Sequence, residues 1–132
     1  MAGKRQKHPN QLQGHRRVEP LDLLPGAAPQ EIPEPPEEIS AAAREAWEAF
    51  FSSPIAATVD IRADGPALRR WVHALTRHEL LAEAVAQEPT VAGSMGQDVI
   101  NPRHAILLAL TREIERIEEH FGMTPLARLR LG

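Results

Sequence analysis

The chain has 132 residues, of which 15 are basic and 18 acidic, and its formal net charge at pH 7 is −3. This length fits one domain, and the net charge excludes a polycation, so any nucleic-acid surface must be local. The lack of cysteine excludes disulfides and thiolate zinc sites. No apolar run approaches the roughly 18 residues that a membrane-spanning helix needs, so we expect a soluble intracellular protein without a membrane partner.

Residues 1–38 differ in composition from the rest of the chain. They hold seven of the twelve prolines and show no apolar periodicity, which predicts a flexible arm and linker ahead of a helical domain at 39–132. Five basic residues precede the first acidic residue: Lys4, Arg5, Lys7, Arg16 and Arg17. Such a cluster is typical of arms that bind nucleic acid electrostatically, and it also fits a solubilising tail.

A first helix is predicted from Ser40, a good N-cap, to about Phe51, before the helix-breaking Pro54. Its apolar residues Ala43, Trp47 and Phe50 share one face. Residues 54–63 carry no pattern that assigns them to a helix or a strand.

A second helix is predicted from near Asp64 to about Gln87, with Pro66 in its first turn, where the missing N–H is harmless. One side of this helix is apolar. A basic stripe on the other side contains Arg69, Arg70 and Arg77, together with His73. The stripe fits contacts with DNA phosphates, and it equally fits a solvated helix face.

Residues 90–100 allow a short β-hairpin, because the three-residue arms Thr90-Val91-Ala92 and Asp98-Val99-Ile100 flank Gly93 and Gly96. A third helix follows, with Asn101 as N-cap, Pro102 at its first position and Gly122 just after its end. Its apolar residues recur at steps of three and four: Leu107, Leu110, Ile114, Ile117 and Phe121.

This narrow seam on the third helix is compatible with packing inside one subunit and with contact between subunits. Three short helices make a thin core, and small cores often gain stability from oligomerisation. We expect a mixture, in which the apolar start of the helix (residues 105–110) is buried internally and its narrower end forms an oligomer interface.

Thr124 and Pro125 then predict the start of a short C-terminal helix that carries Arg128 and Arg130. The predicted fold is therefore all-α, with three main helices, this short fourth helix, the hairpin at 90–100 and the extended N-terminal arm.

No motif for catalysis or cofactor binding occurs in the chain. Gly-x-Ser-x-Gly, a P-loop and a dinucleotide fingerprint are all absent, and the six histidines do not stand at zinc-ligand spacing. We therefore expect a protein that is not an enzyme and that binds neither a metal ion nor a cofactor.

The order of these features resembles the small terminase subunits of tailed phages. The resemblance rests on five elements: the basic stretch Lys4–Pro9 with Gly14 and Arg16-Arg17; Pro35-Pro36 before a helix with Ala43 and Trp47; Asp64 at the second helix; Gly96 before Asn101-Pro102; and Phe121-Gly122-Met123-Thr124-Pro125 with Arg128-Leu129. Two departures concern the family's glycine between the first helices, not evident in 54–63, and its serine after Thr-Pro, replaced here by Leu126-Ala127.

The resemblance implies a non-enzymatic packaging factor in the host cytoplasm. Such subunits bind double-stranded viral DNA, assemble as homo-oligomeric rings, and recruit or regulate a large subunit that holds the ATPase and nuclease. On this reading the five basic residues of the arm and Arg69, Arg70 and Arg77 contact DNA, and the seam from Leu107 to Phe121 lies between subunits. Thr124, Pro125, Arg128 and Arg130 then contact the large subunit. The alternative is a helical adaptor that does not bind DNA and docks a larger protein through its C-terminal tail.

Overall fold

A computed structural model describes residues 31–131 of the chain. Its elements, in chain order, are α1 (Ala41–Phe51), a 3-10 helix (Pro54–Thr58), α2 (Ile61–Gln87), β1 (Thr90–Ala92), β2 (Asp98–Ile100), α3 (Arg103–His120) and α4 (Pro125–Leu131). The predicted fold is confirmed: three main helices, a short fourth helix and a two-stranded hairpin.

The start of α1 is the predicted one. Ser40 caps the helix, because its hydroxyl accepts the backbone N–H of Ala43 at 3.1 Å. The backbone N–H of Ser40 in turn donates to the Thr76 hydroxyl of α2 at 3.0 Å. The same residue therefore begins one helix and attaches it to the next.

The predicted start of the second helix near Asp64 is wrong, since α2 begins at Ile61 and is capped by Asp60. The Asp60 carboxylate accepts the N–H groups of Arg62 and Ala63, and the Asp64 carboxylate accepts the N–H of Asp60 at 3.0 Å. This reciprocal pair satisfies backbone donors that the first helical turn leaves free. Pro66 consequently lies beyond the first turn, inside the helix.

The hairpin at 90–100 is confirmed as an antiparallel pair, with Thr90 opposite Ile100 and Ala92 opposite Asp98. Gly96 has a φ of 78°, a left-handed conformation that glycine adopts without strain. The hairpin connects α2 to α3, which run antiparallel and pack against each other.

The third helix begins at Arg103, one residue later than predicted, and Asn101 still caps it. The Asn101 side-chain oxygen accepts the N–H of Arg103 at 3.0 Å, and its backbone carbonyl accepts that of His104 at 2.9 Å. Its amide group donates to the Glu88 carbonyl at the end of α2, at 2.8 Å. Asn101 is only 2% exposed, so this one side chain joins both helices beneath the hairpin.

Gly122 ends α3, as predicted, with a φ of 72°. The N–H of Gly122 donates to the Glu119 carbonyl and that of Met123 to the Glu118 carbonyl, which is the Schellman arrangement. Thr124 then caps α4 through its hydroxyl, 3.1 Å from the N–H of Ala127. This tight turn places α4 beside the end of α3.

Two glycines provide a matched test of this geometry. Gly122→Ala is expected to cost about 1–2 kcal/mol, because an L-residue is strained in the left-handed region. Gly65→Ala in α2 should instead stabilise by about 0.5–1 kcal/mol, since helix propensity improves. The new Cβ there would meet only Ile61 side-chain atoms, at 3.7 Å or more. Urea unfolding of both variants measures the difference, and an equal effect of the two changes would contradict the assigned turn.

The core lies where α1 packs against the first half of α2, which in turn packs against α3. Its buried residues are Ala43, Trp47, Phe50, Ala56, Leu68, Trp71, Val72, Ala74, Leu110 and Ile114. Phe50 is central to the aromatic packing, with its ring centroid 6.0 Å from that of Trp71 and 6.3 Å from that of Phe121. Both indole N–H groups are satisfied, by the Pro33 carbonyl and by the Glu118 carboxylate.

Candidate nucleic-acid and protein interfaces

The five basic residues predicted to form a DNA-binding arm, Lys4, Arg5, Lys7, Arg16 and Arg17, lie outside the described residues. The described chain begins in the Pro-rich segment that follows them. There, the Trp47 indole N–H donates to the Pro33 carbonyl at 2.7 Å. The segment ahead of α1 is thus attached to the core, at a residue that sequence reasoning assigned to a flexible linker.

The basic stripe on α2 is exposed, as its spacing predicts. Arg69, Arg70 and Arg77 all have exposed side chains, as does His73 between them. Within residues 31–131 the one ion pair joins Arg130 to Glu119, so the three stripe arginines have no carboxylate partner in that range. Unpaired guanidinium groups on a single helix face are suited to bind phosphates.

The seam on α3 packs inside the subunit at its middle. Leu110 and Ile114 are 6% and 8% exposed, whereas Leu107, Ile117 and Phe121 are half-buried. Leu107, Ile117 and Phe121 therefore keep surface that a second subunit could contact, and their place in an oligomer interface stays a prediction. Leu110 and Ile114 have almost no such surface left.

The expected burial of residues 105–110 is wrong. In that stretch Ile106 and Leu108 are 46% and 47% exposed, and only Leu110 is buried. The physical reason is that α1 does not extend to the start of α3. It packs against the first half of α2 and meets α3 only at its far end, where Phe50 contacts Phe121. The start of α3 has α2 and the hairpin as neighbours, and two helices cannot cover all sides of each other.

The two arginines of α4 that were predicted to bind a partner form bonds within their own subunit. One Arg128 guanidinium nitrogen donates to the carbonyls of Gly122 and Met123, at 3.3 and 3.2 Å. Arg130 pairs with Glu119 at 3.0 Å. These three contacts join α4 to the turn after α3 and, through Glu119, to the last turn of α3, where positive groups complement the helix dipole.

Two leucines of α4 are left free by this arrangement. Leu126 and Leu129 are 56% and 78% exposed, while Ala127 on the opposite side is buried. The sequence analysis did not assign these leucines to partner binding, although their spacing of three residues places them on one face of a short helix. A shallow groove of about 380 Å³ lies nearby, lined by Phe50, Trp71, Met123 and Arg128 among others.

Known protein families provide an independent comparison for this arrangement. A family model described as phage terminase, small subunit, matches residues 43–132, which is more than half of the chain. The chain belongs to the phage terminase small subunit family. Searches of curated proteins and of solved structures returned no match.

The matched range of this terminase small subunit begins inside α1 and includes the α2 stripe, the α3 seam and α4. The basic arm lies before it. The DNA-binding role of the arm therefore draws no support from the family match and rests on its charge alone.

Among residues 31–131, no three or more His, Asp or Glu side chains come together in a way that could hold a metal ion. No helix in that range is both long and apolar enough to cross a membrane. The described surface carries exposed arginines on α2, which suit phosphate groups, and exposed leucines on α4, which suit an apolar partner surface.

Proposed function

We propose that this terminase small subunit is a non-enzymatic packaging factor of the host cytoplasm. It binds double-stranded viral DNA, assembles as a homo-oligomeric ring, and recruits or regulates the large ATPase–nuclease subunit. The observation that carries the proposal is the family match over residues 43–132. The unpaired arginines of α2 and the exposed leucines of α4 support the two binding roles.

DNA binding rests on two basic regions. The arm supplies five positive charges over 17 residues with no acidic residue among them. The α2 stripe supplies exposed guanidinium groups on a helix whose other side is in the core. Both regions contact phosphates rather than base edges, so they position the protein without reading sequence. Discrimination between sites then depends on how easily the DNA bends.

Contact with the large subunit is assigned to α4. Arg128 and Arg130 hold α4 in place through bonds inside the subunit, and the outward face of α4 presents Leu126 and Leu129. Exposed leucines at this spacing fit the helix-in-groove mode of recognition, in which an apolar helix face enters a groove of the partner.

The test of DNA binding uses a full-length variant in which all five basic residues of the arm are replaced by glutamine. Counterion release gives a slope of log K against log salt of about −0.9 per phosphate contact. The variant should therefore bind DNA with a slope shallower by up to about 4.5. Its affinity for the large subunit should not change, because α4 is intact.

The matched control replaces Arg44, exposed on α1, with glutamine, and its slope should equal that of the unmodified chain. An unchanged slope in the five-residue variant would contradict the role of the arm. If the unmodified chain bound the large subunit but no DNA at low salt, the adaptor function would replace the packaging function proposed here.

A further inference from the structure

A shallow apolar groove lies where the described chain begins. Its volume is about 430 Å³, and its lining residues are Glu31, Pro33, Phe51, Ala56, Val59 and Ile61. Ile61 is 42% exposed, and Ile32, which stands between two lining residues in the chain, is 40% exposed. Apolar surface at this groove is therefore left uncovered by the rest of residues 31–131.

One wall of the groove belongs to an acidic stretch of chain. Residues 31–38, here called the acidic segment, contain no basic residue and carry four exposed glutamates: Glu31, Glu34, Glu37 and Glu38. None of the four forms an ion pair within residues 31–131. The Trp47 indole holds this segment at the Pro33 carbonyl, and Thr76 holds Ser40 just beyond it. The groove is thus bordered by fixed negative charge.

The other charged groups on this side of the fold do not cancel that charge. Asp60 and Arg62 flank Ile61 in the chain and offset each other, as do Arg44 and Glu48 on α1, which are four residues apart. Asp64 is a further acid, and its carboxylate accepts the Asp60 N–H.

Arg69 is one more base on this side. It lies seven residues, or about two turns, before Thr76 on the same face of α2. One arginine against four glutamates leaves the acidic segment in need of positive partners.

The thirty residues before Glu31 contain the matching features in the matching order. Towards the N-terminus come Pro25-Gly26, then the apolar Val18, Leu21, Leu23 and Leu24, and then Arg16-Arg17. Proline followed by glycine suits the two central positions of a tight turn. A reversal at Pro25-Gly26 sends the preceding chain back along the acidic segment.

The distances along the chain agree with this reversal. Val18 and Pro33 are each seven residues from the Pro25-Gly26 turn, and Arg17 and Glu34 are each eight residues from it. The returning chain would then bring Val18 to the groove and Arg17 to Glu34.

The two acids of the returning chain fit the same alignment. Glu19 would lie opposite Ile32, and Asp22 opposite Pro29, so neither stands directly opposite another acid. One alignment therefore matches apolar residues to the groove and bases to the acidic segment.

We propose that residues 16–24 dock on the groove and the acidic segment of their own subunit. The inference rests on the proposed DNA role of the arm and supplies its regulation. Arg16 and Arg17 cannot contact Glu34 and a phosphate at the same time, so DNA competes with the acidic segment for them. Exposed ion pairs contribute little each, so the docked chain yields to the dense charge of a duplex.

Distances within the chain test the docking. Because the chain has no cysteine, Gln13→Cys with Ala42→Cys places two spin labels at defined sites. Pulsed electron resonance on labelled chain diluted into unlabelled chain should give a narrow distance distribution. It should broaden at high salt, in Glu34→Gln with Glu37→Gln, and in Val18→Ser with Leu21→Ser.

DNA affinity tests the competition. The full-length variant Glu34→Gln with Glu37→Gln should bind DNA about three- to tenfold more tightly at low salt, since about two weak ion pairs no longer hold the arm. The matched control is Glu113→Gln with Glu115→Gln, which removes the same charge from exposed positions on α3, outside the groove. The comparison is made against this control, and both variants should remain folded because all four glutamates are exposed.

The two measurements separate the possible failures. If the distance distribution were equally broad in the unmodified chain and in both variants, the docking would be wrong, and the DNA role of the arm would stand on its own test. If the distances changed as expected but both glutamine variants bound DNA equally, the competition would be wrong. If the distances changed and the unmodified chain bound no DNA at low salt, the docking would hold and the proposed packaging function would fail.

Discussion

Replacing Trp47 with alanine is expected to lower the free energy of unfolding by about 3–5 kcal/mol, as large-to-small changes of buried aromatic residues do. Trp47 is 1% exposed, and its ring centroid lies 4.7 Å from that of Phe51. The change removes core volume and also leaves the Pro33 carbonyl without its donor. Urea unfolding followed by far-UV circular dichroism measures the loss.

A variant with Trp47→Phe separates the hydrogen bond from the packing. Phenylalanine fills much of the same space but has no N–H, so it should cost less than alanine while still freeing the Pro33 carbonyl. An alanine variant as stable as the unmodified chain would contradict the position of Trp47 in the core.

Replacing Asn101 with alanine is expected to cost about 1.5–5 kcal/mol. Loss of the helix cap contributes about 0.5–2 kcal/mol, and the Glu88 carbonyl left without its donor adds about 1–3 kcal/mol. The effect is large for a single polar residue because Asn101 is buried and bonds to both helices at the base of the hairpin. Amide exchange in Thr90–Ala92 and Asp98–Ile100 should become faster as the two helix ends separate.

The substitution Asn101→Ser is the informative comparison, because its stability can be set against that of the alanine variant. Its hydroxyl can still accept the N–H of Arg103, but it cannot reach the Glu88 carbonyl as the amide does. The serine variant should therefore be more stable than the alanine variant by about 1 kcal/mol, the usual contribution of a cap. Equal losses would show that the cap contributes nothing, and an unchanged alanine variant would contradict both bonds.

Helix ends could be predicted from the sequence wherever one residue type determines them locally. Ser40, Asn101, Gly122 and Thr124 all act at the predicted ends, because a cap needs only a short polar side chain or a residue that accepts positive φ. The predicted start of α2 was wrong because Asp60 and Asp64 are both good caps, and residues 54–63 show no helical periodicity that would favour one of them.

Burial along α3 could not be predicted from spacing, since the same seam serves packing inside a subunit and contact between subunits. Which part is covered depends on where α1 crosses, and that is a property of the tertiary fold. The same holds for Arg128 and Arg130. The bonds of Arg128 to the turn after α3 and of Arg130 to Glu119 exist because Gly122 reverses the chain, and no pattern in the C-terminal sequence indicates them.

The hydrogen bond between Trp47 and the Pro33 carbonyl also limits how far the basic residues of the N-terminal arm can lie from the core. Arg17 stands 16 residues before Pro33, so it can lie at most about 55 Å from that anchored carbonyl, and Lys4 at most about 100 Å. If the arms bind DNA and the subunits form the proposed ring, this tether to the core would keep neighbouring arms near a duplex that one arm has bound, and so raise their effective concentration there. Weak phosphate contacts of single arms would then add up to avidity, so that one subunit could release DNA while the assembly retains it.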